Sequence, residues 1–264
     1  MRDQRTRRRL LAAALLAGAA PLLTAGTAAA AGPRVPPPPP GVVVHYDVVY
    51  GQDHGQPLKL DEYLPAAPFG PVPAVVVIHG GGWIGGNRAE TKFVAEELAR
   101  SGFDAFNIGY RLAGPGTTGY PSEVQDAEQA VSWVERNAQS LGAEANQIGA
   151  LGASAGGNLA LMLGTLHRDP SSPAPFVKAV VSWSGPTNLV PLAGLGLISC
   201  TPRSLCPRGS LRGFWYWVLT DYVGCNLRHC TSPLRSASPA THVRLGGAPL
   251  MLWNSTDELV PLSQ

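Results

Sequence analysis

Ser154 stands at the centre of Gly152-Ala153-Ser154-Ala155-Gly156, behind the apolar run Ile148-Gly149-Ala150-Leu151 and ahead of a helical pattern. Strand, tight turn and helix in that order put the serine at the apex of a sharp bend. Small residues suit such a bend. Gly152 and Gly156 let the backbone take an unfavourable conformation and let the helix approach the strand. The hydroxyl is then pushed out above a sheet, and the unpaired N–H groups of the helix N-terminus point at the same place. A second segment, His79-Gly80-Gly81-Gly82-Trp83, follows the buried-strand run Ala74-Val75-Val76-Val77-Ile78. Three glycines after a strand leave backbone N–H groups bare, and an alkoxide-like oxygen needs donors of that kind. A phosphate cradle fits poorly, because neither Gly-Lys-Ser/Thr nor Gly-x-Gly-x-x-Gly follows. Taken singly, the serine is also compatible with a helix cap and the glycines with a plain loop. Together they point to attack by a hydroxyl on an acyl carbon, which further requires a base oriented by a carboxylate.

The pair His79-Gly-Gly-Gly-Trp83 and Gly152-Ala-Ser-Ala-Gly-Gly157 resembles the α/β-hydrolase esterases and lipases of the hormone-sensitive-lipase type. It is closer still to the feruloyl and acetyl-xylan esterase-like group, in which Trp follows the third glycine. The resemblance covers roughly residues 42 to 264. It implies an α/β-hydrolase fold, with Ser154 as nucleophile and the N–H groups of Gly81, Gly82 and Ala155 as oxyanion hole. His79 would buttress the glycine loop, and Trp83 would pack against either the cap or the substrate. The implied reaction is hydrolysis of a carboxylic ester through an acyl-enzyme, on a small-molecule or polysaccharide-linked substrate and without a cofactor or metal. The stretch Asn254-Ser-Thr-Asp257-Glu258-Leu-Val-Pro261 resembles the loop that carries the family's acid, so Asp257 is the expected acid and Glu258 the second choice; a solvated turn carboxylate is the alternative.

The family's order is serine, acid, histidine. The histidines are His45, His54, His79, His167, His229 and His242, none of them beyond Asp257. The resemblance therefore expects a last helix and strand and a histidine-bearing loop that are missing from the sequence to Gln264, which would leave this chain weakly active or inactive. Tyr110-Arg111 and Asp126 match positions that brace the site from below, as a salt-bridged pair. Two rival readings are a non-catalytic binding protein on the same fold and a peptidase or amidase on the same scaffold.

The elements that must position these groups follow from periodicity. Val42 to Tyr50 and Leu58 to Tyr63 read as short strands, with Asp61 an edge-strand residue. Arg88 to Arg100 is an amphipathic helix with Val94 and Leu98 inward, and Phe103 to Tyr110 the next strand. Glu123 to Asn137 places Val124, Ala127, Val131 and Val134 on one helical face; Leu159, Met162, Leu163 and Leu166 line one face of the helix behind Ser154. With Val177 to Ser184 and Pro249 to Trp253, the alternation predicts a mostly parallel sheet with helices on both faces. Residues 186 to 240 interrupt it and read as a cap inserted after the sixth strand. Its run Phe214-Trp215-Tyr216-Trp217 either lines an acyl or aryl subsite or forms local core.

Residues 1 to 31 read as an export signal: Arg2, Arg5, Arg7, Arg8 and Arg9, an apolar stretch from Leu10 to Leu23, then Ala28-Ala29-Ala30. Arg7-Arg8 also suits the twin-arginine route. The alternative is a retained anchor, although Pro21 and the Ala/Gly content disfavour a spanning helix. Removing the leader turns a formal charge of +2 into −2, so the basicity belongs to export and nothing points to nucleic acid or to stable membrane association. Residues 32 to 41, with Pro33 and Pro36 through Pro40, form a polyproline tether. Residues 42 to 264 remain as one α/β domain of a secreted protein. Cys200, Cys206, Cys225 and Cys230 allow three pairings; in an exported chain the short spacings favour Cys200–Cys206 with Cys225–Cys230. A zinc site lacks the two-residue cysteine spacing.

Overall fold

The computed structural model describes residues 41–114, 117, 119–168, 174–199, 211–256 and 259–264. Seven strands form one sheet: β1 (Val42–Asp53), β2 (Gln56–Pro65), β3 (Val72–Ile78), β4 (Asp104–Ile108), β5 (Ala143–Ala153), β6 (Ala179–Trp183) and β7 (Leu250–Trp253), in the spatial order β1-β2-β4-β3-β5-β6-β7. The hairpin β1–β2 and the pair β2–β4 are antiparallel, and all other pairings are parallel. The central strands β3 and β5 are neighbours in register from Ala74↔Ile148 to Ile78↔Gly152. That register brings the loop after β3 alongside the turn after β5.

Among the described residues six α-helices accompany the sheet: α1 (Lys92–Arg100), α2 (Ser122–Leu141), α3 (Ala155–Thr165), α4 (Leu189–Ser199), α5 (Leu211–Val223) and α6 (Thr231–Ser236). Successive residues of β3 point to opposite faces. Val76 and Ile78 join the core of α2 and α3, and Val77 joins that of α1. The helix α3, expected to bury one face, is buried along its whole length, because sheet and α2 enclose it together with the 3-10 turn Pro239–Thr241. The described residues between 189 and 241 carry α4, α5, α6 and two 3-10 turns. In α5, Trp215 and Tyr216 are buried, and Phe214 and Trp217 pack against the main core. Cys225 and Cys230 form a disulfide; Cys200 and Cys206 lie outside the described residues. Among the described residues no helix is long and apolar enough to cross a membrane.

One expectation needs correcting. Asp61 is no edge residue: β2 is paired on both sides, and the nearly buried Asp61 carboxylate takes Arg88, whose other nitrogen reaches Asp47 at 2.7 Å. This clamps both strands of the hairpin to the segment before α1. In α1 the buried residues are Ala95 and Ala99, whereas Val94 and Leu98 are only half covered. Beside them, among the described residues, the sheet is bare. A groove of about 370 Å³ runs between Leu98 and Phe103 on one side and Leu151 and Val181 on the other. Beyond it, every residue of β7 is exposed.

Asp104, at the start of β4, is fully buried and neither carboxylate oxygen has a hydrogen-bond partner. Burial, helped by the nearby Glu62 charge, pushes its pKa up to about 8. A carboxyl whose folded pKa lies above its unfolded value, ~3.9, binds more protons folded than unfolded, so stability falls as pH rises between the two. Asp104→Asn should therefore melt close to the parent near pH 4 and several degrees above it at pH 8. Parallel melting curves across that range would show that the carboxyl is not held neutral.

Candidate active site

Ser154 closes β5 and caps α3 with φ 53° and ψ −119°, a conformation that L-residues rarely take. Its own N–H donates to Trp183 O at 2.7 Å, which ties the bend to the end of β6. The bend holds because the flanking glycines have no room for a side chain. A Cβ on Gly152 would lie 2.1 Å from Gly156 O, and one on Gly156 would lie 2.2 Å from Ile78 O. A Cβ on Gly157 would lie 2.8 Å from Ser182 Oγ. Ser154 is half-buried and thus open to a substrate. Of the non-glycine residues with positive φ, three meet here: Ser154, Trp83 at 62° and Ser184 at 53°. Strain of this sort collects where a structure must aim particular groups.

The glycine segment lies against that bend. A Cβ placed on Gly80 would be 3.4 Å from Ser154 Cβ. Gly81 and Gly82 take φ of 109° and 61°, and Gly81 O accepts from Ile84 N at 3.2 Å and Gly85 N at 3.0 Å, folding the segment into a tight turn. None of the N–H groups of Gly81, Gly82 and Ala155 donates to a backbone carbonyl among the described residues. Ala155 opens α3, at the positive end of the helix dipole.

What fixes the turn is a layer of rings. His79 is buried and stacks on Tyr110, with ring centroids 4.4 Å apart. Its Nδ1 lies 2.7 Å from Gly80 O, so Nδ1 carries the hydrogen and donates. Burial lowers the His79 pKa and keeps the ring neutral. The Tyr110 hydroxyl donates to His79 O at 3.0 Å. Arg111 grips the Asp126 carboxylate through Nε and Nη2 and reaches Asp53 at 2.9 Å, which fixes the strand end beneath Tyr110. Trp83 is buried, and stacks on Tyr222 of α5 at 4.1 Å and 8°. The contact of Trp83 is therefore with the 189–241 segment. Gly82 faces Val218 of the same helix.

In front of Ser154 opens a cleft of about 330 Å³, lined by Glu90, Thr91, Phe93, Trp183 and Ser184 among others. Among the described residues no histidine lines it. His79 is committed beneath the turn, His45 lies 2.6 Å from Glu62, and His242 Nε2 contacts Ser236 O at 2.8 Å. Asp257 and Glu258 lie outside the described residues. Sequence reasoning did not find Tyr222 or Ser184. Tyr222 meets Trp83 only through the fold, and Ser184 carries no local signal apart from following a strand and preceding Gly185.

The BD-FAE family profile matches residues 60–264, most of the chain. The chain belongs to the BD-FAE family. It falls among the α/β-hydrolase esterases of the hormone-sensitive-lipase-like type. It is similar to Esterase LipC of Mycobacterium tuberculosis, 27% identical over 220 residues, which is 82% of this chain and 52% of LipC. It is also similar to the Carboxylesterase NlhH of the same organism, 30% identical over 173 residues, 64% of this chain and 52% of NlhH. The BD-FAE chain thus spans about half the length of these two relatives. Among solved structures it resembles the thermophilic esterase Est2 of Thermogutta terrifontis, with TM-score 0.62 and 27% identity, covering 85% of this chain and 74% of Est2.

Proposed function

We propose that this BD-FAE chain is a serine hydrolase of carboxylic esters that works through an acyl-enzyme. The observation that carries the reading is the strained Ser154 bend lying against the glycine segment at Gly80. Ser154 Oγ attacks the acyl carbon, and the amides of Gly81, Gly82 and Ala155 hold the tetrahedral oxyanion. The alcohol then leaves and water releases the acid. Est2, the similar esterase, has been captured with propionate bound and phosphonylated by sarin, which accords with short acyl groups and a reactive nucleophile. Polysaccharide-linked esters are the wider substrate class, and export through the leader of residues 1–31 would bring the enzyme to them.

Asp257 is our acid. The third member of such a triad is a histidine, the base that takes the Ser154 proton. The cleft at Ser154 and the groove between α1 and β6 share Leu151 in their walls. A fluorophosphonate probe applied to the protein should modify Ser154, identified by peptide mass, and Ser154→Ala should remove the label. Absence of label on a folded protein would favour the rival reading of a non-catalytic binding protein. Parallel assays on p-nitrophenyl esters and p-nitroanilides separate an esterase from an amidase.

A further inference from the structure

The helix α5 lies along the glycine turn with one stripe of side chains. Phe214, Val218 and Tyr222 recur every four residues and so share a face. A Cβ placed on Gly82 would be 3.3 Å from both methyl groups of Val218 and 3.7 Å from Phe214 Cζ. One residue on, the Tyr222 ring covers Trp83, with centroids 4.1 Å apart and planes 8° from parallel. Both rings are buried. Gly82 and Trp83 hold φ of 61° and 62°. Glycine takes that conformation freely. For a residue as bulky as tryptophan it is an outlier that surrounding contacts must maintain.

Tyr222 is itself held from directions that owe nothing to Trp83. Its carbonyl accepts from Tyr120 N at 2.7 Å, and the Tyr120 ring meets its ring edge-on at 6.0 Å. The Tyr120 hydroxyl donates to Ser236 O at 2.8 Å, which ties this contact to α6. Gly119 fits so closely that a Cβ there would lie 2.0 Å from the Tyr222 carbonyl oxygen. The polar ends of the stacked pair play no part in it. Trp83 Nε1 and the Tyr222 hydroxyl are buried, and neither has a hydrogen-bond partner among the described residues. What Tyr222 offers Trp83 is therefore the flat face of its ring, a contact that stabilises beyond the area it buries.

Resting on the hydrolytic reading of Ser154, we infer that Tyr222 is a positioning residue for the oxyanion turn. Its ring is the plate on which Trp83 lies, and the stack holds Trp83 in its left-handed conformation. With Trp83 anchored and Val218 against its Cα, Gly82 cannot turn about its own backbone. Its N–H, a donor proposed for the tetrahedral oxyanion, then keeps its direction. Loss of that aim weakens the transition state more than the bound ester, because the charge on the oxygen develops only as Ser154 attacks.

The test compares p-nitrophenyl butyrate hydrolysis by the protein, Tyr222→Phe and Tyr222→Leu. Leucine fills the space with an apolar group that has no flat face. It should lower kcat by about ten- to a hundredfold and leave KM within about threefold, the pattern of an interaction made in the transition state. Phenylalanine keeps the ring and discards only an unpaired hydroxyl, so it should restore the parent's kcat. The second readout is hydrogen exchange at the Ile84, Gly85 and Ala113 amides. The first two donate to Gly81 O and the third to Trp83 O at 2.8 Å, so they report on the turn directly. Exchange there should be about tenfold faster in Tyr222→Leu and parent-like in Tyr222→Phe. The proposal is overturned if Tyr222→Leu keeps the parent's kcat or the parent's exchange, or if Tyr222→Phe loses as much as Tyr222→Leu. A parent that hydrolyses no ester and takes no fluorophosphonate would instead sink the hydrolytic reading, and the exchange rates alone would then decide whether Tyr222 sets the turn. Should Tyr222→Leu fold poorly, Tyr222→Met, equally without a flat face, carries both measurements.

Discussion

Gly156→Ala is expected to yield no soluble folded protein. The added Cβ would sit 2.2 Å from Ile78 O and 2.4 Å from His79 O, distances at which backbone must move. Neither carbonyl can retreat. Ile78 ends a central strand paired to β4 and β5, and His79 O accepts the Tyr110 hydroxyl. The helix cannot lift away either, since Gly157 at its next position is closed in by Ser182 and Gly185. Overpacking of this kind belongs with the few mechanisms that cost more than ~4 kcal/mol, a large part of a domain's ~5–15 kcal/mol. Gly70→Ala is the control: a Cβ there meets nothing within 4 Å, so its effect should stay within about 0.5 kcal/mol. Urea midpoints and soluble yield read both variants. A Gly156→Ala protein with the parent's midpoint would mean that α3 does not rest on the end of β3, and the geometry proposed for the oxyanion site would fall with it.

The mostly parallel sheet and the bend at Ser154 were legible because their signals are local. A buried run such as Ala74 to Ile78 can only be a central strand, and Gly-x-Ser-x-Gly after such a run leaves the chain one way to turn. The Arg111–Asp126 pair was legible through the resemblance alone. What stayed hidden depends on distant partners. Val94 and Leu98 have the periodicity of core residues, yet their cover is decided by what lies across the sheet, and among the described residues nothing does. Asp61 looked like an edge residue because strand position is a property of the sheet. Its carboxylate serves Arg88, 27 residues away. Glu123 gave no signal at all. In the sequence it is an ordinary acidic residue in a first helical turn, where the dipole welcomes it. Only its burial in the fold turns that position into one where a charge is costly.

Ser154→Gly should remove the proposed activity and at the same time make the protein more stable than Ser154→Ala. The loss is straightforward: without Oγ there is no nucleophile, and single knockouts of such a residue cost about 10⁶-fold in turnover. The gain in stability comes from the backbone. At φ 53° and ψ −119° Ser154 occupies a region that costs a residue with a Cβ ~1–3 kcal/mol. Alanine keeps that Cβ and therefore keeps the strain. Glycine relieves it, but gives back ~0.5–1 kcal/mol through the greater freedom of its unfolded chain. A net advantage of ~1 kcal/mol over Ser154→Ala remains, or ~2–4 °C in melting midpoint for a domain of this size. Both variants should lose fluorophosphonate labelling alike. Equal midpoints for the alanine and glycine variants would show that the bend is unstrained. Unimpaired labelling in either would move the nucleophile to another residue. The pair thus separates two properties that meet at one position, a conformation held against its own preference and the hydroxyl that this conformation presents.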